Sequence, residues 1–175
     1  MENISVPYVA FSQQVAKIKN ELMCAVESVL ESGQYVLSEK GTQFEKEFSE
    51  YCEAKFSIGV ANGTDALHLV LRCLDVGPGD EVITAPNSFI ASAGAIGVLG
   101  AKPVFVDICP DLNLDPALLE KAITPKTKAI MPVHLTGRPA KMKQIIEIAD
   151  HHKLSVVEDA AQAVGAKLAG KKVGG

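Results

Sequence analysis

Two adjacent acids end a hydrophobic run in the last quarter of the sequence. Val156 and Val157 lead directly into Glu158 and Asp159. A carboxylate buried at a strand end without a partner costs several kcal/mol, so Asp159 needs a cation. A protonated pyridine nitrogen is one such cation, and a carboxylate that holds this proton keeps the ring an electron sink. A magnesium ion, or a role for Asp159 as the N-cap of the next turn, would explain the same pattern.

A second candidate site begins at Asn62, where a predicted strand passes into a predicted helix. Gly63 allows the backbone to approach a ligand closely, and Thr64 adds a hydroxyl and an N–H group. The start of the helix contributes free amides and the positive end of its dipole, which together suit a phosphate. A plain Asn or Thr N-cap is the alternative. Asp65 is compatible with a bound dianion only if its carboxylate turns outward and serves the helix dipole.

Two further side chains follow predicted strands. Phe89 comes after the strand 81–84 and could lay its ring on a flat cofactor, although core packing is the alternative for a single Phe. His134 follows the strand 129–133, and we expect a structural or substrate-lining role because no second ligand stands at metal-binding spacing. Ligands gather at the carboxyl ends of parallel strands, so Phe89, His134 and Asp159 are expected at one edge of a sheet.

Alternating strand and helix patterns must position these residues. From residue 56 onward, short β-rich runs alternate with helical periods, which is typical of an α/β fold. Runs that are apolar on both faces, such as 130–133, predict a mostly parallel sheet with helices on both faces. The predicted strands are 56–60, 81–84, 103–106, 129–133 and 154–158. The predicted helices begin near Thr64, Ser88, Pro116 and Pro139, with proline at the first helical position in the last two.

Two helices and a terminal hairpin complete the prediction. Apolar residues recur at three- and four-residue steps over 15–29 and indicate an amphipathic helix that ends near Gly33. Thr42 and Glu45 form a capping-box pattern for a second helix. The segment 163–175 predicts a hairpin that turns at its Ala-Gly pair.

Composition describes a globular protein whose charges are interspersed. Apolar residues make up 47% of the sequence and charged residues 22%, and the formal net charge is -4. No basic stripe or polybasic segment is present, so neither nucleic acid nor a membrane surface is an expected partner. The most apolar stretch, 90–101, is too short to span a bilayer. The four cysteines form no CxxC pair. Together with the lack of a cationic leader, this indicates a cytoplasmic protein without a zinc knuckle or disulfide framework.

Five segments occur in a characteristic order over nearly the whole chain. They are NGTDALHL at 62–69, GPGDEVI at 77–83, PVFVDI at 103–108, PVHLTG at 132–137 and EDAAQ at 158–162. Each segment is weak evidence by itself. Together and in this order they resemble the DegT/DnrJ/EryC1/StrS family of sugar aminotransferases.

The resemblance implies the large domain of a fold-type I enzyme that uses pyridoxal 5'-phosphate (PLP), incomplete in this chain. Such an enzyme moves an amino group, usually from glutamate, to a nucleotide-linked keto sugar, a reaction typical of polysaccharide biosynthesis. Gly63 and Thr64 match the phosphate cradle of the family, with the amide of Asp65 as a third donor. Enzymes of this family resemble one another in being dimers, so a homodimer is expected.

The resemblance also assigns the residues around the cofactor ring. Phe89 matches the ring-stacking position, Asp159 the partner of the pyridine nitrogen, and Gln162 the residue that hydrogen-bonds the 3-oxygen. The family's Schiff-base lysine lies downstream of EDAAQ, so we expect it after Gly175 and expect no catalytic residue in this chain. The chain alone is therefore expected to be inactive.

Two alternatives to an aminotransferase stay open at this point. One is a PLP-dependent sugar dehydratase on the same scaffold, with histidine in place of the lysine. The other is a non-catalytic module that binds a phosphorylated ligand. For the chain as a whole we predict two parts: an N-terminal helix with an active-site loop segment over 1–41, and part of a PLP-binding large domain over 42–175.

Overall fold

The computed structural model describes residues 6–7 and 9–175 of the chain. Backbone contacts divide the chain into two compact units, one that ends at Phe44 and one that comprises Glu45–Gly175. The division falls within a helix and lies three residues after residue 41, where the predicted N-terminal part ends. All the candidate site residues belong to the second unit.

One long amphipathic helix, α1 (Phe11–Ser32), dominates the first unit. It ends because Gly33 adopts a left-handed conformation with a φ of 64°, from which its N–H donates to the carbonyl oxygen of Leu30. The predicted helix and its end are confirmed. The apolar stripe of α1 stays largely exposed to solvent.

The second helix, α2 (Glu39–Cys52), begins earlier than its capping-box pattern predicted. Ser38 precedes the helix, and its hydroxyl oxygen accepts the N–H of Gly41 at 3.3 Å. Thr42 therefore lies inside the helix, and the capping-box prediction is wrong. The carboxylate of Glu45 accepts the N–H of Gly59 at 2.7 Å, so this side chain holds the following loop and does not cap its own helix.

A parallel sheet of four strands forms the centre of the second unit. The strands are β1 (Glu81–Thr84), β2 (Lys102–Phe105), β3 (Thr127–Met131) and β4 (Ser155–Val156). Their order is β2-β1-β3-β4, and every neighbouring pair is parallel. The predicted parallel sheet is confirmed, and these strands lie within a few residues of their predicted positions.

The predicted strand 56–60 is wrong. The segment forms no strand, and Phe56 and Ile58 are 73% and 80% exposed. Its β-rich composition is correct for a strand, but a strand exists only where a neighbour accepts and donates its backbone hydrogen bonds. No strand in the described part of the chain pairs with this segment.

Helices cover both faces of the sheet, as the sequence predicted. They are α3 (Gly63–Cys73), α4 (Ile90–Val98), a 3₁₀ turn Pro116–Leu118 that continues into α5 (Leu119–Ala122), and α6 (Met142–His152). Val82 and Ile83 are neighbours in β1, and because strand side chains alternate they enter different cores. Val82 packs with apolar side chains of α3 and α4, whereas Ile83 packs with those of α5 and α6.

The two prolines predicted at helix starts behave differently. Pro116 is the first residue of its 3₁₀ turn, where Asp115 accepts the N–H of Ala117 at 3.1 Å. Pro139 is not a helix start, because the N–H of the next residue, Ala140, donates to the side chain of His134 and α6 begins only at Met142.

The C-terminal hairpin is confirmed. Its strands, β5 (Lys167–Leu168) and β6 (Lys171–Lys172), are antiparallel. Ala169 and Gly170 both have positive φ, 51° and 86°, which a two-residue hairpin turn of this hand requires. Across the described residues, no helix combines the length and apolarity needed to cross a membrane.

Candidate functional site

A cleft of about 240 Å³ lies where β1, β3 and β4 end. Ligands collect at this edge of a parallel sheet because strand ends and helix starts meet there. Five of the six residues predicted to bind a ligand line the cleft: Gly63, Thr64, Phe89, Asp159 and Gln162. Asp65 is not part of the lining. Of the three strand-end side chains expected at one edge, Phe89 and Asp159 line the cleft and His134 does not.

The start of α3 forms one wall of the cleft. The first amides of a helix have no acceptor within the helix, and here they belong to Gly63 and Thr64. A Cβ atom built on Gly63 would meet no atom within 4 Å, so the space beside this backbone is open. Free amides beside open space, at the positive end of a helix dipole, suit an anion.

The amide of Asp65 is not available as the third phosphate donor that the resemblance predicted. Its N–H donates to Oδ1 of Asn62 at 2.9 Å, and its carboxylate accepts from the Asn62 amide at 3.2 Å. The Asp65 amide is thus engaged in capping the helix and is not a free third donor. The Asn62 cap and the open cradle coexist, because the cap uses a later amide than the two that face the cleft.

Asp159 also lines the cleft. Its backbone continues the ladder beyond β4, since its N–H donates to Pro132 at 2.9 Å and its carbonyl oxygen accepts from His134 at 3.0 Å. Oδ1 accepts the N–H of Ala161 at 3.2 Å, and Oδ2 accepts the hydroxyl of Ser92 at 3.3 Å. The Ala161 bond caps the turn that follows Asp159, as the capping alternative predicted, and the residue lines the cleft as well.

Sequence reasoning missed the two serines behind this carboxylate. The Ser88 and Ser92 hydroxyls lie 2.7 Å apart, and both residues line the cleft. Ser92 is 2% exposed. Their four-residue spacing just after β1 was the available signal, although Ser88 lies two residues before α4 and only Ser92 is part of the helix.

Phe89 and Gln162 complete the lining. Phe89 precedes α4 and is 72% exposed, so the core-packing alternative for this ring does not hold. Gln162 is exposed on the turn that follows Asp159. A Cβ atom at Gly137 would lie 3.2 Å from the Gln162 carbonyl oxygen, and Gly137 has a φ of 78°. Glycine at this position therefore lets the Gln162 backbone approach closely.

His134 lies behind the strand ends and not in the cleft. It is fully buried, and its Nδ1 accepts the N–H of Ala140 at 3.1 Å. The ring hydrogen therefore lies on Nε2, which donates to the carboxylate of Glu158 at 3.0 Å. The same carboxylate oxygen accepts the N–H of Gly174 at 3.0 Å. His134 thus has a structural role, tying the loop after β3 to the strand end that carries Asp159.

Two opposing effects act on the pKa of Glu158. Burial by itself would raise the pKa of this carboxyl group, but the hydrogen bonds from His134 and from the Gly174 N–H hold it below its ordinary value. Glu158 is therefore ionised at neutral pH.

Among the described residues, no group of three or more His, Cys, Asp or Glu side chains is arranged to hold a metal ion.

Comparison with known proteins identifies the fold and its family. A family model described as the DegT/DnrJ/EryC1/StrS aminotransferase family matches residues 16–175. The chain belongs to this family. The resemblance predicted from the five sequence segments is confirmed.

Relatives in the family match the chain over almost all of its length. A pleiotropic regulatory protein of Geobacillus stearothermophilus is 49% identical over 172 residues, which cover 98% of this chain and 46% of the relative. The dTDP-3-amino-3,4,6-trideoxy-alpha-D-glucose transaminase of Streptomyces venezuelae is 47% identical over 174 residues. The aligned residues cover 99% of this chain and 46% of the relative. The chain therefore spans about half the length of the curated relatives it matches.

Solved structures of the family agree with the fold. The crystal structure of S. venezuelae DesV in complex with a ketimine intermediate superposes with a TM-score of 0.94 at 47% identity. It covers 97% of this chain and 46% of the DesV chain. The predicted fold class, part of the α/β large domain of a fold-type I transferase, is confirmed. PLP is the cofactor of this family, and related structures are PLP and PMP (pyridoxamine 5'-phosphate) forms.

The cleft fits PLP in two independent respects. The open cradle at Gly63 and Thr64 suits the phosphate, which is an anion. The Asp159 carboxylate suits a protonated ring nitrogen, because each of its oxygens has one protein donor and keeps a further lone pair for a ligand. An anion site and a cation site in one cleft match a ligand that carries both charges.

Proposed function

We propose that this chain is the cofactor-holding part of a PLP-dependent aminotransferase. The observation that carries the proposal is that one cleft contains both a helix start suited to a phosphate and a carboxylate suited to a protonated pyridine nitrogen. The enzyme would move an amino group from glutamate to the keto group of a nucleotide-linked sugar. The names of relatives favour this reaction over the dehydratase alternative, since the S. venezuelae relative is a transaminase of a dTDP-linked amino sugar.

Different residues of this chain would bind different parts of the cofactor. PLP, when bound, supplies an electron sink for breaking a C–H bond beside nitrogen. Gly63 and Thr64 would bind its phosphate, and Phe89 would cover one face of its ring. Asp159 would hold the proton on the ring nitrogen, which keeps the ring cationic. Gln162 would donate a hydrogen bond to the 3-oxygen and set the rotation of the ring in its plane.

Binding of PMP tests this proposal directly. PMP already carries its amino group and needs no covalent bond to lysine. Calorimetric titration of the chain with PMP therefore measures the affinity of the non-covalent contacts in the cleft alone. Pyridoxamine, which lacks the phosphate, serves as the matched ligand. We expect PMP to bind at least about 100-fold more tightly, since two charge-assisted hydrogen bonds are lost with the phosphate.

Equal affinities for PMP and pyridoxamine would contradict the assignment of the cradle. Amino transfer by the protein that contains this chain can then be followed by absorbance, because glutamate converts bound PLP into PMP. An unchanged PLP spectrum after the addition of glutamate would contradict glutamate as the donor.

We also infer that the protein forms a homodimer in the cytoplasm. The apolar stripe of α1 supports self-association, because Val15, Ile18 and Val26 are 45%, 45% and 52% exposed and such a stripe normally packs on something. A reducing compartment suits the four free cysteines: Cys24, Cys52, Cys73 and Cys109.

Sedimentation equilibrium tests the dimer. We expect twice the chain mass for the parent chain and a shift toward monomer for Val26→Lys, because a charge would then face the interface. The matched variant Lys19→Ala changes an exposed polar position of the same helix and should leave the dimer intact. A parent chain that sediments only as monomer would contradict the inference.

A further inference from the structure

The hydroxyl of Ser92 is directed differently from those of three other helical serines in this chain. Ser28, Ser32 and Ser49 each donate to the carbonyl oxygen three residues earlier, at 2.9, 2.8 and 2.8 Å. Ser92 instead contacts the Asp159 carboxylate, 67 residues away in the sequence, and the hydroxyl of Ser88. Its hydrogen bonds are therefore made to the cleft and not to its own helix.

The charge of Asp159 determines which atom donates in each bond. An ionised carboxylate only accepts, so the Ser92 hydroxyl must donate its single hydrogen to Oδ2. The 2.7 Å bond between the two serines then requires Ser88 to donate to Ser92. The result is a one-directional chain from Ser88 through Ser92 to Asp159, in which each bond polarises the next.

We propose that Ser92, supported by Ser88, is a positioning residue that aims the Asp159 carboxylate at the cofactor ring nitrogen. This proposal rests on the proposed function, because it assigns Asp159 the same ligand. Ser92 holds Oδ2 while the Ala161 N–H holds Oδ1, so rotation of the carboxylate about its bond to Cβ would break both hydrogen bonds. The lone pairs that these donors leave are the ones available to the ring N–H.

The burial of Ser92 supports a fixed geometry. At 2% exposure the hydroxyl has little access to water, so its hydrogen bonds depend on the protein groups beside it, the Asp159 carboxylate and the Ser88 hydroxyl. Ser88 is only partly buried and lines the cleft, so the chain of hydroxyls begins at the cleft wall and ends on the carboxylate. Removal of the Ser92 hydroxyl would leave Oδ2 without its protein donor and free the carboxylate to rotate.

Two ligands that differ only at the ring nitrogen can distinguish a role of Ser92 in positioning Asp159 from a role in the stability of the fold. PMP carries the nitrogen, whereas 1-deazapyridoxamine 5'-phosphate has a C–H group in its place and can form no bond of this kind with Asp159. The quantity to measure is the ratio of their dissociation constants. In the parent chain we expect PMP to bind more tightly, and we expect Ser92→Ala to shrink this preference by about three- to tenfold.

Thr84→Val is the matched control. The Thr84 hydroxyl is also buried and donates to the carbonyl oxygen of Met131 at 2.9 Å, so its loss removes a comparable hydrogen bond away from Asp159. This variant should lose stability in thermal melts and leave the preference ratio unchanged. If Ser92→Ala does not fold, Ser88→Ala replaces it, with an expected reduction of about twofold because one link separates Ser88 from the carboxylate.

The outcomes distinguish this inference from the proposed function. A parent chain that binds both phosphorylated ligands equally would overturn the assignment of Asp159 to the ring nitrogen. A parent chain that prefers PMP, with a serine variant that keeps the full preference, would overturn the role of Ser92 alone. Equal reductions in Ser92→Ala and Thr84→Val would also overturn it, because the effect would then reflect stability.

Discussion

Asp159→Ala is expected to weaken PMP binding by the chain about 10- to 100-fold. The substitution removes the only acidic side chain that lines the described cleft, and a hydrogen bond to a charged group contributes about 1.5 to 3 kcal/mol. Calorimetric titration of the parent and the variant with PMP measures the change. The fold should tolerate the substitution, since the backbone bonds of residue 159 to Pro132 and His134 do not involve its side chain.

Two further variants show whether the charge itself matters. Asp159→Asn keeps the size and one acceptor oxygen, and we expect it to bind PMP with an affinity between those of the parent and Asp159→Ala. Asp150→Ala removes an exposed carboxylate from α6 and should bind PMP like the parent. An Asp159→Ala variant that retained the parent affinity would disprove the assignment of this carboxylate to the cofactor.

His134→Ala is expected to lower the free energy of unfolding by about 2 to 4 kcal/mol. The side chain is fully buried and both of its ring nitrogens are hydrogen-bonded, so the variant combines a cavity with an unpaired Ala140 N–H and a Glu158 carboxylate that loses a donor. Urea denaturation followed by circular dichroism measures the change. His151→Ala, at an exposed position of α6, is the control and should change stability by less than about 0.5 kcal/mol.

The Glu158 carboxylate, which is hydrogen-bonded to His134, is expected to make the stability of the fold depend on pH. The folded-state pKa of Glu158 lies below its ordinary value of 4.5, because its hydrogen bonds from His134 and Gly174 outweigh the effect of burial. Its stabilising contribution is therefore fully present above pH 4.5 and is lost as the pH falls through the folded-state pKa. Glu158→Gln should remove this part of the acid sensitivity. Denaturation curves of parent and variant that fall in parallel below pH 4.5 would contradict this origin.

The alternation of elements and the approximate placement of the site could be predicted from the sequence. Short β-rich runs and helical periods are local properties, so the runs at 81–84 and 129–133 and the helix predicted near Thr64 were recognisable without any knowledge of their neighbours. Parallel strands in turn bring their carboxyl ends together. This rule alone placed Phe89 and Asp159 at one edge.

Predictions failed where a distant partner decides the outcome. The segment 56–60 has the composition of a strand and no neighbour to pair with in the described chain. Glu45 has the spacing of a capping box, but the Gly59 N–H holds its carboxylate. Asp65 stands beside a predicted phosphate cradle, yet its amide is occupied by Asn62.

The sequence by itself determined the family, the α/β alternation and the residue types that can hold a phosphate and a protonated ring nitrogen. Only the tertiary structure decided how Asp159 is held. Its carboxylate meets Ser92 across 67 residues, and its neighbour Glu158 meets His134 across 24. Such contacts depend on how helices and strands are set against one another in space, which local periodicity does not encode, because a hydrogen bond requires an exact distance and direction.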